Sequence, residues 1–211
     1  MKHIVKGDEP RELFLWKQLV NADWQPTYAQ LRGTEKRAVK HALMMEQGFL
    51  CCYCERRLVA GDSHIEHFRP QGDPACDDLD YHNLLCSCQN QIKQGEPRHC
   101  GNLKDGWFDE NRLVSPLMPD CETHFAYAGD GSIRTVYPTD DAARTTIEKL
   151  GLDIAKLRAL RKQAMDPFLD PDLSDSEVSQ FAAGYLSRDD QGRFGEFWTT
   201  IRYLFGASAI A

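Results

Sequence analysis

Residues 49–54 read FLCCYC. Cys51 and Cys54 in this stretch form a C-x-x-C pair, a spacing that lets two thiolates grip one ion from a tight turn. A single pair cannot close a tetrahedral site, so the chain has to supply two more donors downstream. Seven of the eight cysteines fall within residues 51–100, and six of them (Cys51, Cys52, Cys54, Cys86, Cys88 and Cys100) crowd toward its two ends. The second pair therefore comes from CSC at 86–88 and from Cys100. Cys86 and Cys88 lie two apart on an extended chain, which places them on one face but poorly for joint chelation. One of them is expected to join Cys100, with Cys88 favoured over Cys86. Cys52, Cys76 and Cys121 are left to packing, since a free thiol is commonly buried. A clip of Cys51, Cys54, Cys88 and Cys100 would hold structural zinc. A sixty-residue unit with little apolar content needs such a brace.

The rest of the composition sets bounds. The chain has 211 residues, enough for one generous domain or a small module with additions, and it can bury a core without disulfides. No stretch approaches a membrane span; the apolar run FGASAIA at 205–211 is far too short. The first residues, MKHIVKGDEPRELF, contain no apolar signal core, so a soluble, cytoplasmic protein is expected. In that compartment clustered cysteine points to metal rather than to disulfides. The net charge is −7, with 25 basic and 32 acidic residues, which argues against affinity resting on broad contact with phosphates.

Outward from the clip the pattern changes twice, with no repeat and no low-complexity tract. Residues 8–48 read as helical. Asp8 and Pro10 suit a start before RELFLWKQLV, and GTEKRAVKHALMMEQG places Ala38, Ala42 and Met45 on one face with Gly48 as the stop. Residues 49–108 break into short strand-like pieces. HFAYAGDGSIRTVY at 124–137 then signals a hairpin around Gly129, Asp130 and Gly131. Four helical segments follow, the third of them SDSEVSQFAAGYLS at 174–187. Thr139 or Asp140 caps the first and Gly151 stops it; Ile154, Leu157, Leu160 and Ala164 form the face of the next. The last carries Trp198 and Tyr203, read as core. The expected class is α+β, mainly helical. Its units are an N-terminal helical segment (1–48), a zinc-braced module (49–108), and a C-terminal hairpin and helical region (109–211).

The order of CCYCE (51–55), HIEHFRPQ (64–71), YHNLLCSC (81–88) and HCGNLKDG (99–106) resembles the HNH endonuclease module, a ββα-metal fold bracketed in many members by a zinc clip. Across roughly residues 40–165, EQGFLCCYCERRL, HIEHFRPQ and WFDENRLVSPLMPDCETHF are similar to the HNH nucleases of Septu anti-phage defence systems, the PtuB-like proteins also found with some retrons. The resemblance implies hydrolysis of phosphodiester bonds in nucleic acid, DNA ahead of RNA, in complex with an ABC-type ATPase and without a membrane. It implies that His67 is the general base, Glu66 a ligand of a catalytic Mg or Mn ion, and Asn83 a brace for the turn after His67. Arg69 would contact a phosphate.

The family's third motif is altered here. Gly101 follows Cys100 where the family has Asn or His, Asn102 is displaced by one position, and Lys104 keeps its place. Eleven residues, QNQIKQGEPRH, separate Cys88 from Cys100. Asn102 is therefore expected as the second ligand of the catalytic ion, with His99 and Asn90 as rivals, and His64 could compete from the strand face it shares with Glu66. Residues 51–106 hold six Lys and Arg against nine Asp and Glu. Two other readings fit: a zinc-binding adaptor with a decayed nuclease site, and a redox sensor using the vicinal Cys51 and Cys52. The flanking helices, 8–48 and 139–205, would be the partner-docking surfaces.

Overall fold

The computed structural model describes residues 1–206; residues 207–211, most of the FGASAIA run, lie outside it. Seven α-helices and two two-stranded antiparallel sheets are found among the described residues, so the class is mixed α and β with small sheets.

Helix α1 (Arg11–Lys17) begins directly after Pro10, whose fixed φ suits the entry to a helix. Asp8 is not its cap, and no side chain caps that end. Helix α2 (Gly33–Glu46) follows an irregular stretch with a 3-10 turn at Tyr28–Gln30, so the helical reading of 8–48 holds in its two named segments and not between them. Its buried face is Val39, Leu43 and Met44, one step round from the expected Ala38, Ala42 and Met45. Both sets have helical spacing. The larger side chains remove more apolar area from water and take the core side, leaving Met45 39% exposed. Gly48 ends the helix at φ +59, and the Phe194 ring fills the space a Cβ would need, 2.2 Å away.

Strands β1 (Ser63–His67) and β2 (Leu84–Cys88) pair antiparallel, with Ser63 opposite Cys88, Ile65 opposite Cys86 and His67 opposite Leu84. The short helix α3 (Gly101–Lys104) starts at Cys100, whose backbone turns through φ +56 while its N–H donates to the Leu150 carbonyl at 2.8 Å. A second hairpin, β3 (Phe125–Tyr127) and β4 (Ile133–Thr135), reverses at 128–132 with Gly131 at φ +81.

Helix α4 (Asp141–Lys149) is capped by Asp140, which accepts from the Ala143 N–H at 2.8 Å, and it ends at Gly151. Helix α5 (Ala155–Met165) buries Leu157, Arg161 and Met165, with Ile154, Leu160 and Ala164 half-buried beside them. The buried Arg161 is satisfied by two carbonyls, Gly131 at 3.1 Å and Leu152 at 2.7 Å. Helices α6 (Asp175–Leu186) and α7 (Trp198–Phe205) complete the fold. Trp198 is half-buried, but Tyr203 points outward, 45% exposed, because Thr199, Thr200 and Ile201 take the inner face.

One apolar cluster runs from Met1 to Leu157 and encloses the β1–β2 hairpin; a smaller one joins Met165, Phe168, Ala182 and Ile201. No described helix is long and apolar enough to cross a membrane.

Candidate active site and metal centre

The C-x-x-C turn is shaped by its own backbone. The Cys51 N–H donates to the Arg56 carbonyl at 2.9 Å, the Glu55 N–H returns to the Cys51 carbonyl at 3.1 Å, and Glu55 takes φ +64 to close the loop. The Cys88 N–H points at the Cys51 Sγ from 3.4 Å. Cys51, Cys54, Cys88 and Cys100 are all buried, and their sulfurs lie within 4.8 Å of one another. Four thiolates around zinc at bonds of about 2.3 Å stand about 3.8 Å apart, and Cys54 and Cys88 are already 3.7 Å apart. The donors therefore fit structural zinc, and Cys88 rather than Cys86 is the third of them. Burial opposes ionising these thiols, yet thiol-to-thiol hydrogen bonds within the cluster hold Cys51 well below the usual range and Cys54 at about 7. Cys100 is pushed well up, first by burial and then by its hydrogen bonds with Cys51, Cys54 and Cys88.

His99 stands behind this cluster, fully buried. Its Nδ1 is 3.1 Å from the Cys100 sulfur and 3.8 Å from that of Cys88. That position supports thiolates rather than an ion beside Glu66. The inserted loop after Cys88 is tied down by Gln89, which accepts from the His99 N–H at 2.9 Å and donates to the Pro97 carbonyl at 3.0 Å.

The second centre lies at the end of β1. Glu66 is buried, and its Oε1 receives the Lys104 ammonium at 3.0 Å and the Tyr53 hydroxyl at 3.1 Å. Burial would raise its pKa, but His64 and Lys104 outweigh that and hold the carboxyl below the ordinary range. Lys104 also donates to the His67 carbonyl at 3.0 Å, so one buried ammonium ties together both residues of the Glu-His pair.

His67 packs edge-on against Tyr28, ring centroids 4.4 Å apart, and its Nε2 lies 3.0 Å from the Asp78 carbonyl oxygen. A carbonyl can only accept, so Nε2 carries the proton and Nδ1 keeps its lone pair. Burial pushes the imidazole pKa below its usual value, so the ring is neutral near pH 7.

Asn83 grips the turn after His67 from both sides. Its Oδ1 accepts from the Arg69 N–H at 2.8 Å, and its Nδ2 donates to the Arg69 carbonyl at 2.9 Å. The Arg69 guanidinium is engaged by Asp73 at 2.9 Å and Glu110 at 3.3 Å and lies over the Phe108 ring, so a phosphate would have to displace carboxylates to reach it. The Asn102 amide nitrogen donates to the Gln89 carbonyl, and Asn90 is exposed. Lys104 and Tyr53 are the site residues that sequence reasoning did not select. Lys104 had a signal in the retained position of HCGNLKDG, whereas Tyr53, one aromatic inside a cysteine turn, had none.

No protein-family model matches the chain. It is similar to two curated proteins. One, from Vibrio cholerae serotype O1 biovar El Tor, is described as "Retron Vc95 putative HNH endonuclease" and is 30% identical over 138 residues, covering 62% of this chain and 65% of that protein. The other, from Escherichia coli, is described as "Retron Ec83 putative HNH endonuclease" and is 25% identical over 207 residues, 80% of each. The match thus spans a little under two thirds of the first relative's length. Both relatives carry the description of an HNH endonuclease.

Proposed function

We propose that the chain is a metal-dependent HNH endonuclease that hydrolyses phosphodiester bonds, DNA ahead of RNA. In this reading it is the effector subunit of a Septu-like, retron-associated anti-phage complex with an ABC-type ATPase in the cytoplasm. The observation that carries the reading is the Glu66–His67 pair at the end of β1, oriented by buried partners and flanked by a four-thiol cluster. Residues 49–108 form the nuclease module, a ββα-metal unit of β1, β2 and α3. Residues 1–48 and 109–211 are the docking regions for the partner.

The chemistry follows from the contacts. The Asp78 carbonyl keeps the proton on Nε2, so His67 presents Nδ1 to take a proton from the attacking water. Asn83 fixes the turn that leads away from His67, and Lys104 ties the His67 carbonyl to Glu66, so neither reacting side chain drifts. Glu66 offers a hard oxygen to a Mg or Mn ion. Such an ion, when bound, would offset charge on the phosphate and on the leaving oxygen. Zinc on Cys51, Cys54, Cys88 and Cys100 would be structural, since all four positions are protein ligands and none is left open. Asn102 enters this scheme as a support for the Gln89 loop, and Arg69 as a phosphate contact once Asp73 and Glu110 release it.

The test is cleavage of plasmid DNA and of RNA by the zinc-loaded protein with Mg or Mn, alone and with the ATPase. Cleavage by the parent and loss in His67→Ala is the expected result. Equal cleavage by His67→Ala under every condition defeats the assignment. Gly101, which lacks a donor side chain, and the neutralised Arg69 favour a second reading, a zinc-binding adaptor with a decayed nuclease site. In that case calorimetry would detect zinc but no second, hard ion.

A further inference from the structure

The two oxygens of Glu66 face different surroundings. Oε1 is occupied by Lys104 and Tyr53, whereas Oε2 faces the Nε2 of His64 at 3.5 Å. That distance is long for a hydrogen bond, which for N–H···O runs about 2.7–3.2 Å. Two donor atoms bound to one small divalent ion at about 2.1 Å each stand roughly 3.0–3.4 Å apart, so His64 and Glu66 match that span after a slight closure. They share a face because they are two apart on β1. The His64 side chain is a quarter exposed, so an ion can enter from solvent.

Gly101 is the second observation. A Cβ placed there would lie 2.3 Å from Glu66 Oε2 and 2.9 Å from His64 Nε2. Glu66 Oε2 and His64 Nε2 therefore converge on the point that a side chain at position 101 would occupy. The residue after Cys100 brings no donor to that point; β1 brings one from the opposite side. Asn102 has its amide nitrogen engaged by the Gln89 carbonyl.

We propose that His64 and Glu66 together bind the catalytic divalent cation over Gly101, and that the nitrogen donor selects Mn²⁺ over Mg²⁺. Imidazole suits borderline transition ions, whereas Mg²⁺ favours oxygen donors throughout. What the ion does rests on the endonuclease reading above; where it binds does not.

The experiment uses the full-length zinc-loaded protein, Mn²⁺ titration by calorimetry, and pulsed EPR of the bound Mn²⁺ for coupling to nitrogen. The parent is expected to bind one Mn²⁺ beyond its zinc, with nitrogen coupling and with weaker binding of Mg²⁺. His64→Ala should weaken Mn²⁺ at least tenfold and abolish the coupling while zinc content is unchanged. His64→Asp, which restores an oxygen donor, should bind the ion without nitrogen coupling and shift the preference toward Mg²⁺. It decides the matter if the alanine variant fails to fold. Nitrogen coupling that survives in either variant, unchanged Mn²⁺ affinity in His64→Ala, or a parent that binds Mg²⁺ as tightly as Mn²⁺ overturns the proposal. Mn²⁺ bound through His64 in a protein that cleaves neither DNA nor RNA supports this site and removes the endonuclease reading instead.

Discussion

Replacing Lys104 with Met tests whether one buried ammonium organises the site. The Lys104 side chain is 1% exposed and lies 3.0 Å from Glu66 Oε1. Two unit charges at that distance attract by about 5.5 kcal/mol at an effective dielectric of about 20. Desolvation of both groups offsets much of this, so the pair need add little over an apolar pair of the same shape. Breaking it from one side is different, because Glu66 then stays buried with only Tyr53 and His64 for company, and such losses run about 3–5 kcal/mol. Met is similar in length and fills the volume, so a cavity adds little. The His67 carbonyl also loses its donor, at a cost of about 1–3 kcal/mol already within that range. Urea denaturation of zinc-loaded protein at pH 7 should therefore show Lys104→Met less stable than the parent by about 3–5 kcal/mol. The double variant Glu66→Gln with Lys104→Met removes the stranded charge and should recover at least about 1–2 kcal/mol of that. A single variant within about 1 kcal/mol of the parent, or a double variant no better than the single, refutes the claim that this ion pair holds the site.

Zinc removal should unfold more than a loop. Cys54→Ser, or chelation of the parent, takes away an ion whose binding contributes about 10 kcal/mol or more in small zinc modules. The expected outcome is loss of one bound zinc per chain by elemental analysis and early hydrogen exchange across 49–104; a variant retaining full zinc and parental exchange contradicts the four-thiol site. At Asp140, burial alone would raise the carboxyl pKa, but the Ala143 N–H and the His124 imidazole at 2.6 Å hold it below the usual value. A depressed carboxyl gives stability that is present above its unfolded pKa of about 3.9 and is lost as pH falls through the folded one. Asp140→Asn keeps the cap acceptor and loses the charge. Its deficit in urea should be about 0.5 kcal/mol at pH 7 and should narrow as pH falls below about 4; a deficit that widens below that pH contradicts the sign.

Local signals suffice wherever one residue's chemistry dictates the outcome. Gly48, Gly131 and Gly151 sit at positive φ where a stop or reversal was expected, and Asp140 caps α4. Helix faces were harder. On α2 the alanine-containing stripe and the Val39–Leu43–Met44 stripe are equally periodic, and competition for core volume separates them. Tyr203 failed for the same reason, since α7 turns its threonines and Ile201 inward.

At the site the division is sharper. The C-x-x-C turn, the Glu66–His67 pair and the i, i+2 relation of His64 to Glu66 are properties of short segments, and the sequence determines them alone. Which distant groups meet these residues depends on packing over dozens of positions. The β1–β2 register together with Cys100 at φ +56 brings Cys88 to the other thiols. The close approach of α3 to β1 puts Lys104 under Glu66 and the bare Cα of Gly101 opposite His64. Those distances are set by the one core that encloses both elements, and no count of residues between motifs contains them.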